Sequence, residues 1–130
     1  MSREKSYPIV LDPQTRIHVR IGVTEEGDIE WFVVQLLHNL EPYYADNEDW
    51  REIARFDHNP DALDGHDVVE EGLHMDLTFE NRENKRDERF PGHHPTYSRL
   101  GGSVEFCVSY LSAEYEKLVR EYENDLGETR

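Results

Sequence analysis

The last quarter of the chain carries the feature that most limits the fold. From residue 104 to residue 126, apolar side chains recur three and four positions apart, which is the period of one face of an α-helix. They are Val104, Cys107, Val108, Leu111, Tyr115, Leu118, Val119, Tyr122 and Leu126. Ser103 is a candidate N-cap and Gly127 a stop signal. The pattern predicts a helix of about 35 Å, whose single apolar stripe the rest of the chain must cover.

The segments that open the chain have the period of a β-strand instead. Apolar and polar side chains alternate through Thr15–Val23, which predicts a strand with one buried face. Residues 29–38 include the run WFVV at 31–34, and apolar side chains on both faces indicate a central strand. The polar, glycine-containing segment 25–28 joins the two strands as a hairpin.

Three later segments complete a predicted sheet. Residues 50–57 form a third strand, residues 73–79 alternate as a fourth, and residues 88–90 begin a short edge strand. Residues 58–72 contain a proline, glycines and several acids, which is typical of a surface loop. The predicted fold class is therefore α+β, with an antiparallel β-meander of four to five strands covered on one face by the long C-terminal helix.

The length of 130 residues is enough for one hydrophobic core and too short for two. We expect residues 1–14 to be an extended N-terminal lead, residues 15–126 to be a single domain and residues 127–130 to be a C-terminal tail. The one cysteine, Cys107, lies on the apolar helix face, so it predicts a buried thiol and excludes a disulfide within the chain. The N-terminus lacks a leader-like apolar stretch, and no apolar run is long enough to span a membrane. These features predict a cytoplasmic protein without a membrane partner.

The charge is strongly negative. Twenty-nine acidic residues against fourteen basic ones give a formal net charge of -15, which at ordinary salt would repel nucleic acids and anionic membranes. Eleven of the basic residues are Arg, and the acids are spread along the whole chain. Such a surface also suits molar salt, where the Debye length falls to about 3 Å. The composition therefore leaves a halophilic host as one expectation and does not by itself exclude RNA.

Histidines concentrate in one stretch. Five of the seven lie within residues 55–95, interspersed with aspartates. If the strands 50–57 and 73–79 are antiparallel neighbours, alternation places four of these side chains on the sheet face opposite the helix. The four are Arg55, Asp57, His74 and Asp76.

Imidazoles beside carboxylates suit either acid–base catalysis or the binding of a divalent metal such as Zn, Mn or Ni. The candidate catalytic residues are Arg55, Asp57, His58, His74, His93 and His94. His58 or His74 would be the general base, His93 or His94 the acid, and Arg55 a phosphate ligand. The candidate metal ligands are His58, His66, His74 and Asp76. A structural interpretation, in which these histidines are loop or surface residues, stays open beside both.

Two short motifs carry a resemblance. The segment ARFDH at residues 54–58 and the segment FPGHHP at residues 90–95, with an early hairpin and a long C-terminal helix, resemble proteins related to the TumE-type toxins of toxin–antitoxin pairs. The resemblance implies a small cytosolic protein that acts with a helix-turn-helix antitoxin-like partner, and RNA as a candidate substrate. The positions carried over by the resemblance are Arg55, Asp57, His58, His93 and His94.

Two functions from different classes follow. The first is an enzyme that acts on RNA or another phosphate-containing substrate through the His/Asp/Arg cluster, which requires at least three of these side chains to converge. The second is a non-catalytic protein-binding module. It predicts dispersed histidines and an exposed aromatic patch, for example from Tyr43, Tyr44, Tyr97 and Tyr110.

Overall fold

Six β-strands follow one another in sequence order across an antiparallel sheet in the computed structural model, which describes residues 3–42, 44–61, 65–79 and 86–127. The strands are β1 (Arg3–Asp12), β2 (Thr15–Val23), β3 (Ile29–Asn39), β4 (Trp50–His58), β5 (His74–Leu77) and β6 (Arg86–Arg89). A four-residue helix, α1 (Val68–Glu71), lies between β4 and β5, and a 3-10 turn (Tyr97–Arg99) leads into the long helix α2 (Leu100–Gly127). The α+β prediction, a meander of strands with one long C-terminal helix, is confirmed.

The N-terminal lead differs from the sequence expectation. It is the edge strand β1, paired with β2 from Arg3 opposite Val23 to Asp12 opposite Thr15. Most of its side chains are exposed, so it lacks the alternation that marks a half-buried strand. Pro8 is tolerated because an edge strand has a partner on only one side.

The start of α2 also differs. The helix begins at Leu100, directly after the 3-10 turn, and Ser103 is not its N-cap. Ser103 is buried inside the helix, and its hydroxyl forms a hydrogen bond of 3.0 Å with the Nε2 atom of His93. The side chain that resembled an N-cap therefore anchors the loop that precedes the helix.

The core lies between α2 and one face of the sheet, which we call the inner face. The helix packs mainly on β3 and β4 through the apolar stripe that the sequence predicts. Each large side chain buried there contributes about 1.5–3 kcal/mol. Cys107 is fully buried among them, and burial raises the pKa of its thiol well above the usual value. Among the described residues, no helix has both the length and the apolar character that a membrane crossing requires.

The opposite, outer face carries the alternate side chains of the strands. On β2 and β3, Gly22 pairs with Trp31 across the strands, and the indole lies so close over the glycine that a Cβ would overlap it. Arg16 stacks on the ring of Trp50, with its guanidinium carbon 3.9 Å from the ring centroid. This outer face, at the β4–β5 end, also holds the cluster described below.

Candidate functional site

The candidate site begins with the pairing of β4 and β5. Arg55 lies directly opposite Asp76 in this antiparallel pair. Since side chains alternate along a strand, Asp57 and His74 point to the same outer face, as the sequence predicts. Asp57 and His74 are each only 5% exposed, because the loop between the two strands folds back over them.

That loop places His66 above the sheet. The carbonyl of His66 accepts a hydrogen bond of 2.8 Å from the amide of Asn59, and the amide of His66 donates one of 3.4 Å to Asp57. The imidazole of His66 meets the ring of His74 edge to face, with centroids 4.3 Å apart and an interplanar angle of 85°. A residue distant from β5 in sequence is thereby held against it.

His66, His74 and Asp76 form a three-residue cluster. One potential ligand atom from each lies within 4.8 Å of the others. Ligand atoms around a tetrahedral zinc ion are about 3.3 Å apart, given bond lengths of about 2.0–2.1 Å. Rotamer adjustments of about 1 Å would therefore bring the three groups onto one ion.

Hydrogen bonds hold the Nδ1 atoms of His66 and His74, the ring nitrogens that a metal would not use. His74 Nδ1 lies 3.3 Å from the carbonyl oxygen of Gly72, which can only accept, so Nδ1 is the donor and Nε2 is the nitrogen that a metal would use. His66 Nδ1 lies 3.2 Å from a carboxylate oxygen of Glu71, while its Nε2 is 3.5 Å from Asp76. A carbonyl or carboxylate behind each ring is the usual support of a metal-binding imidazole.

The charges around His66 favour a cation. Burial alone would lower the pKa of His66, but the hydrogen bond with Glu71 and the nearby charges of Asp57 and Asp76 together raise the pKa above its usual value. The raised pKa means that His66 binds a proton more tightly than a fully solvated histidine does. A divalent metal ion at Nε2 would take the place of that proton.

Glu71 is a site residue that the sequence analysis missed. Its carboxylate accepts a hydrogen bond of 2.7 Å from the amide of Asp67, and this bond is the main reason that the pKa of Glu71 is lowered. Asp67 in turn caps α1 by accepting from the amides of Val69 and Glu70. Asp67, an acid followed by two valines and two further acids, is the signal of a helix start, which would have identified α1.

Tyr97 closes the same corner of the structure. Its hydroxyl donates a hydrogen bond of 2.7 Å to Asp67, which raises the pKa of Tyr97 to about 12. The contact joins the segment before α2 to the cap of α1. Tyr97 thus holds Asp67, whose amide binds Glu71, and Glu71 in turn holds the ring of His66.

His58 does not belong to this cluster. It follows Asp57 on β4 and so faces the inner side, where it is 1% exposed and stacks on Phe32. Its Nδ1 accepts a hydrogen bond of 3.1 Å from the amide of Val68. Burial lowers its pKa, with partial opposition from Asp67 and Asp57. The structure thus places this candidate base and metal ligand in the core, because alternation separates it from its neighbour Asp57.

His93 and His94 lie on the helix side of the fold. His93 stacks on Phe106 with a centroid distance of 4.7 Å, and burial, followed by the charge of His94, lowers its pKa. Within the described part of the chain, no contact links either ring to His66 or His74. The structure therefore does not bring together the two motifs that resemble the toxins.

Arg55 borders the cluster, and its side chain is 41% exposed. Among the described residues, it forms ion pairs with the carboxylates of Glu52 and Asp57, at 3.9 and 4.0 Å. These distances are long for charge-assisted hydrogen bonds. Neither carboxylate therefore occupies the donors of Arg55 that an incoming anion would use.

The four tyrosines of the predicted aromatic patch differ in exposure. Tyr44 and Tyr97 are exposed by 77% and 55%, while Tyr110 is half-buried and packs edge-on against Phe90. Tyr43 lies outside the described residues. The aromatic patch of a protein-binding module stays a prediction.

Comparison with known proteins places the chain in a family. The model of a domain of unknown function, DUF7718, matches residues 1–128, so the chain belongs to that family. No curated protein and no solved structure matches it.

Proposed function

We propose that this DUF7718 protein binds a divalent transition-metal ion through His66, His74 and Asp76, and uses it to act on a phosphate-containing substrate. The observation that carries the proposal is the convergence of three ligand atoms within 4.8 Å. They come from β5 and from the loop before α1. Hydrogen bonds join His66 in that loop to Asn59 and to the side chain of Asp57, and β5 pairs with the same strand, β4.

The ligand set favours a catalytic over a purely structural ion. Two imidazoles and one carboxylate suit Zn, and also Mn or Ni. Structural zinc sites are usually closed by four protein ligands, whereas catalytic sites keep a position open. Three protein ligands on the outer face of the sheet, two of them partly exposed, match the second pattern. Such an ion would supply Lewis acidity to a bound phosphoryl group.

The neighbouring residues have separate roles in the proposal. Arg55, opposite Asp76 in the sheet, would bind a phosphoryl oxygen through its planar fork. Asp57 is a positioning residue, because it accepts the hydrogen bond of the His66 amide. Glu71 holds the ring of His66 from behind.

Metal binding is tested first, on the purified full chain. We expect isothermal titration and equilibrium dialysis with Zn²⁺, Mn²⁺ and Ni²⁺ to show one site, with affinity reduced at least tenfold in His74→Ala and Asp76→Asn. The matched controls are His18→Ala, on the outer face of β2, and His94→Ala, both outside the cluster. Equal affinities in all four variants and the wild type, or no binding at all, would refute the metal site.

Activity is tested next with RNA and with bis(4-nitrophenyl) phosphate. We expect hydrolysis that EDTA abolishes and that Arg55→Lys lowers, because lysine cannot form the bidentate contact. Arg99→Lys, an exposed position in the turn before α2, is the control. Metal binding without hydrolysis of either substrate would contradict the enzymatic part alone.

As a more specific form of this proposal, the protein would be a toxin that acts on RNA and is paired with a helix-turn-helix antitoxin-like partner. Arg55 and Asp57 of the first motif do lie at the cluster, which supports an RNA-directed activity. Growth arrest on induced expression, relieved by His74→Ala and not by His18→Ala on β2, is the expected result. Growth arrest that both variants leave intact would separate toxicity from this site.

A non-catalytic binding module is the alternative, and one observation favours it. The edge strand β1 presents exposed backbone on one side, with Tyr7 and Val10 exposed by 42% and 72%. Exposed edges can accept a strand from a partner chain. Under this alternative, charge substitutions on β1 change association, whereas the His74 and Asp76 variants do not.

A further inference from the structure

A cleft of about 470 Å³ lies directly behind the metal cluster. It is bounded by α1, by the start of β5, by the end of β6 and by the loop that follows β6. Its lining is Val69, Glu71, Gly72, Leu73, Arg89, Phe90, Pro91, His93, His94 and Pro95. This volume lies within the range of about 300–1,000 Å³ that is usual for small-molecule sites.

The lining separates into an apolar body and a cationic rim. Phe90, Pro91 and Pro95 supply flat apolar surfaces, which suit an aromatic ring. Arg89 at the rim has a side chain that is 61% exposed. Its Nη1 donates a hydrogen bond of 3.0 Å to the carbonyl oxygen of Glu71, and its Nη2 lies 3.7 Å from a carboxylate oxygen of Asp87. The second distance is too long for a hydrogen bond, so Nη2 and Nε would be the donors to an anion.

The cleft and the cluster share a wall. Glu71 and Gly72 line the cleft, and the same two residues hold the Nδ1 atoms of His66 and His74. In addition, Arg89 is the register partner of His74 across β5 and β6. An anionic group bound by Arg89 would therefore lie beside a proposed metal ligand, while the organic part fills the cleft.

We propose that this cleft binds the ring of an aromatic phosphate ester, with its phosphate at Arg89 and directed toward His74. The assignment as a substrate site rests on the proposed function. Binding itself depends only on the cleft and Arg89.

The test uses phenyl phosphate as the probe and metal-free full-length protein in EDTA, followed by amide NMR shifts. We expect saturable shifts confined to residues of the cleft, and much weaker effects from inorganic phosphate or phenol alone. Arg89→Gln should weaken binding at least about tenfold, since it removes the charged donor of the phosphate. Arg99→Gln is the matched control and should match the wild type.

A second variant addresses the apolar part. Val69→Trp would fill the cleft from α1, whereas Val10→Trp adds the same ring on the exposed strand β1. We expect the first to abolish binding of phenyl phosphate and the second to leave it unchanged. Binding that survives Val69→Trp, or shifts that map elsewhere, would overturn the assignment.

Failure of this proposal is distinguishable from failure of the proposed function. Phenyl phosphate bound in the cleft of a protein that binds no metal would retain the ligand site and remove the metal centre. A metal bound by His66, His74 and Asp76 in a protein that does not bind phenyl phosphate would retain the metal centre and remove the ligand site.

Discussion

Substitution of Glu71 by glutamine tests how the loop prepares His66 for a metal. Gln keeps an oxygen that can accept the hydrogen bond of the Asp67 amide, at 2.7 Å in the native protein, but it removes the negative charge beside His66 Nδ1. We expect the pKa of His66 to fall toward its usual value. Metal affinity should fall about 10–100-fold, as is typical when a supporting carboxylate is lost.

The same change has a defined effect on stability. The pKa of His66 is raised in the folded protein, so its contribution is complete below the unfolded-state pKa and is lost as the pH rises through the folded-state pKa. Both side chains are partly exposed, at 31% for His66 and 44% for Glu71, and solvent screening limits the pair to about 0.3–1 kcal/mol. The stability difference between wild type and Glu71→Gln should therefore be present near pH 6 and vanish at alkaline pH.

The assay combines an NMR titration of the His66 ring, urea unfolding across pH and zinc titration. Glu70→Gln is the control, because Glu70 is the exposed neighbour on α1 and has no contact with His66. If both variants shift the pKa of His66 equally, or neither shifts it, the charge of Glu71 does not act on this ring. Support of His66 by Glu71 would then have to be abandoned.

Three further predictions concern the fold. Burial lowers the pKa of His58, so its neutral form stabilises the fold above the unfolded-state pKa of about 6.5 and this stability is lost as the pH falls. His58→Phe should remove that pH dependence. It also leaves the Val68 amide without its acceptor, so the free energy of unfolding in urea at pH 8 should fall by about 1–3 kcal/mol. Gly22→Ala should displace the Trp31 indole, with a change in tryptophan fluorescence and a loss of about 1–3 kcal/mol; unchanged fluorescence would show that the ring does not lie on Gly22. If the acidic surface is adapted to high salt, the melting temperature should rise steadily from low salt to molar KCl, and a flat profile would exclude that adaptation.

Period-two alternation explains why part of the site could be predicted from the sequence. It is a local property, so the strands already assign Asp57, His74 and Asp76 to one face once β4 and β5 are neighbours. The same rule assigns His58 to the other face, next to Phe56 in the core. Alternation along β4 therefore places His58 and Asp57 on opposite faces of the sheet, although they are neighbours in sequence.

The path of the loop was not predictable in this way. His66 reaches the cluster through hydrogen bonds from Asn59 and to Asp57, and neither contact has a periodic signature. In the sequence, Glu71 is one of several acids in a segment typical of a surface loop, but α1 turns its carboxylate toward His66. The edge strand β1 was missed because both of its faces are largely exposed, so no hydrophobic period marks it.

The charge of the site indicates an order of binding. In the metal-free protein, the carboxylates of Asp57, Glu71 and Asp76 surround the imidazole of His66, and their negative charge opposes a phosphate. A divalent ion that takes the place of a proton at Nε2 of His66 adds one positive charge at the same position. The affinity for phenyl phosphate should therefore rise when zinc is bound, and zinc affinity should rise equally when phenyl phosphate is present, because the two binding free energies are linked. Equal phenyl phosphate affinities with and without zinc would mean that the cleft and the cluster, although they share Glu71 and Gly72, do not act on one ligand.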